Sequence, residues 1–583
     1  MKPQRIVLLG AGLVVLIGGT VLFSQPAEPL QDRGIFDQSK IDPPEKGEEG
    51  IEQQARGPVH EAFANPSNAT APQAQPVIAK APPPLIEEMP PDQKPDGDNV
   101  QWLSGYWHHD EEAKNYLWIS GLWRQIPPGM DWVPGTWNTV TGGYQWSSGF
   151  WKSSQQGDLA VVPTPPEPLN AANVPAPSAD STYVPGCWVY RETRYVWRPA
   201  YWMPCRPGWV WVSARYVWSP CGYYFVDGYW DYTLRDRGLL FCPVVFQPNY
   251  LRPGYIYRPR YIVHDHCLLS CLFIDRRYGC YHFGDYYDPG YARRGYVAWS
   301  SYRINGMYRD SLYDHYRFVY RSNPTWERDL VSLTTLRIRN EAPRPPINLN
   351  LQFNLVNNKK FDNVHTKNVV LLAPINKVNP KVVPLVKLDA GKLKEQQNFA
   401  KKLNEASVKR ATLETSIVKA GAVPKVGDAV KTVALSVPVN NALPSKTRLA
   451  TLPPPPSGAK PQVDPKVIGG LIKIDPTKDK GVTKDKVVVG KDKVVDPKDK
   501  VVPKDKVIIP KDKLVDPMDK VIPKDKIPSS KDKLPLPKDK GLLDIRKGAR
   551  LAPPTLPGRP NEFLARSDDR CWLNPADSVR KEA

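Results

Sequence analysis

The side chains best suited to catalysis or metal binding are concentrated between residues 264 and 282. Three histidines, an aspartate and three cysteines are ligand types that zinc binds: His264, Asp265, His266, Cys267, Cys271, Cys280 and His282. If they hold a metal, His264, His266 and Cys267 are the first candidate ligands, and a metal-dependent hydrolase is the enzymatic alternative. Their spacings match no familiar zinc finger, and the sequence offers no other readable catalytic set. We therefore expect a non-catalytic protein without a cofactor.

The cysteines have a second interpretation. Seven of the eight lie between Cys187 and Cys280, and Cys571 stands alone near the C-terminus. In an exported protein the oxidising environment favours disulfides over free thiols or thiolate-bound metal. The spacing leaves the connectivity open. The candidate disulfide cysteines are Cys187, Cys205, Cys221, Cys242, Cys267, Cys271 and Cys280.

Arginine and tyrosine alternate between residues 276 and 328. Such interleaving can stack on rings while it pairs with anionic groups, and Arg309 and Arg317 are the candidate contacts. Four side chains of this stretch also recur every four residues, as on one face of a helix: Tyr308, Leu312, Tyr316 and Tyr320. Packing is the simpler interpretation. If the arginines bind a partner, a polyanionic envelope polymer suits an exported protein better than nucleic acid.

Tryptophan is concentrated in one zone, because fifteen of the 18 tryptophans lie between Trp102 and Trp230. Most belong to the phrase Trp-x-x-Gly-x-Trp. It is intact four times, starting at Trp102, Trp118, Trp132 and Trp146. Trp118, Trp132 and Trp146 are candidate platforms for stacking on sugar rings. The alternative is that they form the core, since a small sheet has few other residues to build one.

We interpret each phrase as a strand, a tight turn and a second strand. Glycine would supply the positive φ of the turn, and the flanking aromatic residues would become cross-strand neighbours. A second, less regular array begins at residues 183, 197, 211 and 225, with a constant step of 14. One period then corresponds to one hairpin of an antiparallel meander, and the predicted fold class is mainly β. The predicted turn glycines are Gly105, Gly121, Gly135, Gly149, Gly186 and Gly228.

Two phrases extend into a longer signature, Tyr116-x-Trp118-x-x-Gly121-x-Trp123-Arg124 and Tyr144-x-Trp146-x-x-Gly149-x-Trp151-Lys152. This signature resembles the bacterial YXWGXW-repeat proteins, which are exported and of largely uncharacterised role. The resemblance covers residues 100–152 closely and 183–230 loosely, and it implies no catalytic residues. Ala200 and Ala214 stand where the pattern has glycine, which leaves the turn type there open.

The N-terminus resembles an export element. Residues 6–23 carry no charge and follow Lys2 and Arg5, as in a signal peptide or an N-terminal membrane anchor. The positive-inside rule then places the rest of the chain outside the cytoplasm. We expect an exported protein, anchored and facing the periplasm or the cell exterior, or secreted if the signal is cleaved.

Composition predicts long unfolded stretches, because segments rich in Pro, Ala, Gln, Glu or Lys bury too little apolar surface to offset chain entropy. The predicted organisation is 1–27 signal peptide or anchor, 28–99 disordered linker, 100–152 first β-repeat array, 153–181 Pro-rich linker, 182–262 second β-repeat array, 263–345 Cys/Tyr/Arg-rich region, 346–388 extended segment, 389–420 helix and 421–583 disordered arm.

The C-terminal arm repeats Lys-Asp-Lys at steps of six or seven residues. Its prolines exclude a coiled coil, so we expect an extended spacer, with or without electrostatic attachment to a polyanion. Asp389 is the expected N-cap of the preceding helix, which we expect to dock on the rest of the protein. The whole pattern predicts a structural or adhesive scaffold of the cell envelope, with a glycan- or polyanion-binding module as the alternative.

Overall fold

Antiparallel β-strands dominate the regular structure, with 33% of the described residues in strands against 21% in helices. This balance confirms the predicted mainly β fold class and its many antiparallel hairpins. The computed structural model describes residues 35–36, 50–169, 174–252, 254–357 and 369–439. All of these residues belong to one compact unit of the chain.

The strands fall into three consecutive groups along the chain. The first group is β1 Ile51–Gln53, β2 Gly57–Pro58, β3 Glu87–Glu88, β4 Gln93–Pro95, β5 Val100–Leu103, β6 Tyr106–Asp110, β7 Asn115–Ile119, β8 Leu122–Gln125, β9 Met130–Val133, β10 Thr136–Val140, β11 Gly143–Ser147, β12 Phe150–Ser153 and β13 Leu159–Val162. The second is β14 Ser181–Val184, β15 Cys187–Arg191, β16 Arg194–Arg198, β17 Tyr201–Pro204, β18 Trp209–Val212, β19 Arg215–Ser219, β20 Gly222–Val226 and β21 Tyr229–Tyr232. The third is β22 Gly238–Leu239, β23 Val244–Phe246, β24 Ile256–Tyr257, β25 Tyr261–Val263, β26 Leu272–Asp275, β27 Cys280–Phe283, β28 Tyr296–Ala298, β29 Leu372–Pro374, β30 Leu385–Lys387 and β31 Lys431–Val433.

The helices lie in the second half of the described chain. They are α1 Asp265–Ser270, α2 Pro289–Arg293, α3 Ser311–Val319, α4 Trp326–Ile338, α5 Leu349–Asn357 and α6 Ala390–Lys419, with short 3₁₀ turns at Pro248–Tyr250 and Ile375–Lys377.

Two consecutive phrases together form one long hairpin that bends in its middle. In hairpin 1 (residues 100–125), β6 pairs with β7 next to the turn, and β5 pairs with β8 on the other side of the bend. Hairpins 2 (130–153), 3 (181–204) and 4 (209–232) repeat this arrangement. The prediction of one hairpin per period is therefore wrong, because one hairpin takes two periods and the phrase lies at the bend.

The six predicted turn glycines have a different role from the one expected. None of them has a positive φ, whereas the hairpin turns place positive φ at other residues such as Lys114 and Gly142. Glycine is needed because the facing phrase comes too close for a side chain. A Cβ on Gly105 would lie 2.9 Å from Cε2 of Trp118, and one on Gly121 would lie 2.7 Å from Cζ2 of Trp102.

Parts of residues 50–99, which belong to the predicted disordered linker 28–99, join the folded core. β1 pairs with β23, β2 with β27 and β4 with β30. Ala55, Ala62 and Phe63 are buried between these pairings. Composition does not predict these strands, because each is only two or three residues long. Each is stabilised by pairing with a strand from a distant part of the chain.

Three further segments carry more regular structure than predicted. The Pro-rich linker 153–181 contributes β13, which lies between β20 and β31. The predicted extended segment 346–388 contains α5, β29 and β30. The predicted disordered arm supplies β31 at its start.

The helix predicted for residues 389–420 is confirmed as α6. The Asp389 side chain caps it by accepting a hydrogen bond from the Lys392 N–H at 2.8 Å. Its buried face, which includes Leu403 and Ala406, packs on hairpins 1 and 2. The helix therefore docks on the repeats.

Several predictions concern parts of the chain that the structure does not describe. Residues 6–23, the Lys-Asp-Lys repeats and Cys571 all lie outside the described residues. Among the helices of the described ranges, none combines the length and apolar character needed to cross a membrane.

Candidate functional site

The three tryptophans proposed as sugar platforms lie inside the core. Trp118, Trp132 and Trp146 are 0%, 5% and 8% exposed. Each packs against an aromatic partner across its hairpin, as Trp118 does against Trp107 with ring centroids 5.1 Å apart. Their faces are therefore covered by protein, which favours the packing interpretation of these residues.

The bend of hairpin 1 encloses a buried carboxylate. Glu88 Oε1 accepts hydrogen bonds from Trp118 Nε1 at 2.8 Å and from the Gly121 N–H at 2.9 Å. Oε2 accepts from the Gly105 N–H at 3.0 Å. Burial raises the pKa of Glu88 to about 7, and the N–H donors act in the opposite direction.

Hairpin 2 holds Glu61 in the same way. Glu61 Oε1 accepts from Trp146 Nε1 at 2.8 Å, and Oε2 accepts from the Gly149 N–H at 2.6 Å. Burial raises the pKa of this carboxyl as well. We call these two arrangements the glutamate clamps. No local sequence pattern marks either glutamate, because both lie in the segment predicted to be a linker.

The two candidate arginines of the Tyr/Arg region are already engaged by the protein. Arg309 pairs with Glu327 and lies 4.0 Å from the ring centroid of Tyr313. Arg317 pairs with Asp314 at 3.0 Å. The predicted helix is confirmed in part as α3, which contains Leu312 and Tyr316 and ends at its C-cap Tyr320, whereas Tyr308 precedes it. All four side chains of the series are buried.

The predicted metal ligands do not form a metal site. No group of three or more metal-binding side chains comes together among the described residues. His264 instead caps α1, since its Nδ1 accepts a hydrogen bond from the His266 N–H at 3.1 Å. Cys267 is buried in the same helix. These three residues therefore help to hold α1.

The structure does not support the predicted disulfides among the described cysteines. No disulfide is seen among the seven described cysteines: Cys187, Cys205, Cys221, Cys242, Cys267, Cys271 and Cys280. The thiols are held by local contacts, as Cys271 Sγ lies 3.1 Å from the Cys267 carbonyl oxygen. Burial raises the pKa of the Cys221 and Cys271 thiols to about 11, so they remain protonated at neutral pH.

A cavity of about 240 Å³ opens beside hairpins 1 and 2. It lies between residues 52–61, the turn of hairpin 1 and the sheet that contains β26, β27 and β28. Glu61 and Trp146 of the second clamp form part of its lining. We refer to this space as the tyrosine cavity because aromatic side chains dominate it.

The wall formed by the sheet is a layer of packed rings. Tyr286 and Tyr296 are stacked, with centroids 4.9 Å apart and an interplanar angle of 10°. His282 packs edge-on against both, at 5.5 and 5.0 Å. His108 faces His282 from hairpin 1 at 6.1 Å. Burial lowers the pKa of His108 to about 4 and that of His282 well below its usual range, so both rings are neutral at pH 7.

Two of the three arginines that line the tyrosine cavity are paired with carboxylates, and the third, Arg294, lies over the Tyr291 ring at 4.4 Å. Arg56 binds Glu112 at 3.0 Å. Arg277 binds Asp275 at 2.7 Å and Glu111 at 3.1 Å. Each guanidinium also lies over a tyrosine ring, Arg56 over Tyr286 at 5.4 Å and Arg277 over Tyr296 at 5.6 Å. The rim thus presents donors and acceptors in fixed positions without a strongly basic surface.

Fold and site together define a mainly β protein of bent aromatic hairpins, with glutamate clamps in its core and one tyrosine-lined cavity. No family model, curated protein or solved structure matches this chain.

Proposed function

We propose that this protein is a non-catalytic scaffold of the bacterial cell envelope. The observation that carries the proposal is the clamp: a buried glutamate from an extended segment is held by glycine and tryptophan N–H groups of a hairpin bend. The repeat tryptophans supply packing and these hydrogen bonds. A rigid body made in this way suits a structural or adhesive role.

The chemistry of the thiols and histidines supports a non-catalytic role. A nucleophilic cysteine needs a depressed pKa, yet burial raises the pKa of the Cys280 thiol well above its usual range. The neighbouring His282 Nδ1 lies 3.8 Å from that sulfur and stays neutral. Cys280 and His282 therefore do not form the thiolate–imidazolium pair of an activated cysteine.

The envelope location is proposed from the sequence. Residues 6–23 have the composition of an export signal or anchor, and the phrases resemble exported YXWGXW-repeat proteins. Polysaccharide of the envelope is the proposed partner. Arg309 and Arg317 contribute little to such binding, since both are paired within the protein.

Co-sedimentation with isolated bacterial envelopes tests the proposal. Purified full-length chain should pellet with the envelopes, and Trp118→Ala should lose pelleting together with cooperative unfolding, because Trp118 is fully buried. Trp209→Ala is the matched control, since that ring is only half-buried. A folded wild-type chain that stays in the supernatant would contradict the scaffold proposal.

A further inference from the structure

A purely structural role does not explain why the protein contains the tyrosine cavity. Pockets for drug-sized ligands occupy roughly 300–1,000 Å³, and this one measures about 240 Å³. Its occupant is therefore small, of the size of one sugar ring. A scaffold would be more stable with the space filled, so an open cavity lined by ordered polar groups points to a ligand.

Three tyrosine hydroxyls on the cavity wall are free to bind such a ligand. Among the described residues, no protein group forms a hydrogen bond with the hydroxyls of Tyr278, Tyr286 or Tyr296. Each can donate one hydrogen bond and accept others. His109 Nδ1 also lines the site, and it is buried without a partner.

The charges in the cavity exclude the other obvious ligand classes. A polyanion would need a surplus of cations, but six carboxylates line the cavity against three guanidiniums, and two of these, Arg56 and Arg277, are paired with carboxylates. An organic cation would need open aromatic faces, but the same guanidiniums already cover Tyr286 and Tyr296. A neutral molecule with several hydroxyls needs neither unpaired cations nor open aromatic faces. It can form hydrogen bonds with the arginines and carboxylates that are paired at the cavity.

We propose that the tyrosine cavity binds one neutral sugar residue of a glycan. The hydroxyls of Tyr286 and Tyr296 bind the ring hydroxyls, and the Arg56–Glu112 and Arg277–Asp275 pairs offer further donors and acceptors at the rim. This site rests on the proposed polysaccharide partner and gives it a binding place, and it differs from the buried tryptophans considered as platforms.

Saturation-transfer NMR on the purified full-length chain tests the proposal. The probes are glucose, galactose, mannose and N-acetylglucosamine, with glucuronate and glucosamine as charged counterparts, each at low and high salt. We expect saturable binding of at least one neutral sugar that salt does not weaken. Tyr286→Phe combined with Tyr296→Phe should lower its affinity about tenfold through the loss of two hydrogen bonds.

Two further variants complete the design. Tyr201→Phe removes a hydroxyl from hairpin 3, outside the cavity, and should leave binding unchanged. Tyr278→Phe replaces the double variant if the latter loses its wild-type circular dichroism, and it should weaken binding severalfold.

The proposal is overturned if no neutral sugar binds, or if the cavity variants bind as tightly as Tyr201→Phe. Salt-sensitive preference for glucuronate would indicate a polyanion site, and preference for glucosamine would indicate a cation site, so either result also overturns it. Envelope co-sedimentation is scored separately, so failure of sugar binding leaves the scaffold proposal standing.

Discussion

Trp132 packs so closely on Gly149 that a Cβ on the glycine would lie 2.5 Å from Cζ2 of the indole. The relationship is reciprocal, because Trp146 packs on Gly135 in the same hairpin. The same arrangement joins Trp197 to Gly186 and Trp211 to Gly228. Each glycine thus makes room for the first aromatic ring of the facing phrase.

The two alanine positions fit this rule. By equivalence with the glycine positions, the first aromatic residue of the facing phrase is Tyr183 for Ala200 and Phe225 for Ala214. At both positions the residue at the bend is alanine instead of glycine, and the facing aromatic ring is smaller than tryptophan. Ala200 and Ala214 therefore preserve the packing of the bend, and the turn type is not involved.

This complementarity can be measured in hairpin 2. Gly149→Ala should destabilise the protein by about 1–3 kcal/mol through overpacking. Combining it with Trp132→Phe, which reproduces the Ala214–Phe225 pair, should recover part of that loss. Urea unfolding of the wild type, both single variants and the double variant gives the coupling free energy. Strictly additive effects would contradict the close contact.

Glu88 should make stability depend on pH. Its pKa is raised from 4.5 to about 7 in the folded protein, so the folded state binds the proton more tightly than the unfolded state. The contribution of Glu88 to the free energy of unfolding should therefore fall as pH rises from about 4.5 to about 7. Urea unfolding of wild type and Glu88→Gln across this range isolates the effect, because other groups titrate equally in both. A difference that stays constant with pH would contradict it.

Helix α6 is held by a buried ion pair. Arg410 Nε binds Glu414 Oε1 at 2.7 Å, and both side chains are fully buried. Glu414 Oε2 also accepts from Asn138 and Ser147 of hairpin 2, each at 2.8 Å. Arg410→Ala should cost about 3–5 kcal/mol of stability, because it leaves a buried charge without its partner.

Lys409→Ala is the matched control for Arg410→Ala. Lys409 is the exposed neighbour on the same helix, and its replacement should change stability by less than about 0.5 kcal/mol. Equal effects of the two substitutions on urea unfolding would show that α6 is not docked through Arg410.

The seven described cysteines should all react as thiols. Denaturing the protein without reductant, alkylating it and mapping the peptides by mass spectrometry should give alkylated Cys187, Cys221 and Cys271 together with the other four. Dithiothreitol should not change the midpoint of unfolding. A disulfide-linked pair of peptides from this region would contradict the structure.

The sequence predicted the elements whose pattern is local. The 14-residue step indicated antiparallel aromatic strands, the proline-free stretch with Asp389 indicated α6, and the four-residue series from Tyr308 indicated α3. These signals need only neighbouring residues, so periodicity and capping were enough to find them.

The sequence could not reveal contacts between distant segments. Glu61 and Glu88 lie in proline-rich stretches and bind bends far along the chain, so no local pattern marks them. The glycine of each phrase was assigned to a turn because a bend and a turn both favour glycine in sequence. The tyrosine cavity joins residues 52–61, hairpin 1 and the β26–β28 sheet, which only the fold brings together.

Hydrogen exchange of the full-length chain, followed by mass spectrometry, tests most directly whether the glutamate clamps build an extended segment into the core. Peptides that cover residues 55–63 and 86–89 should exchange as slowly as those of hairpin 1, and Glu88→Gln should speed exchange around 86–89 and at the bend of hairpin 1. Exchange of residues 50–99 at the rate of an unstructured chain, beside protected hairpins, would contradict the clamps and the scaffold built on them.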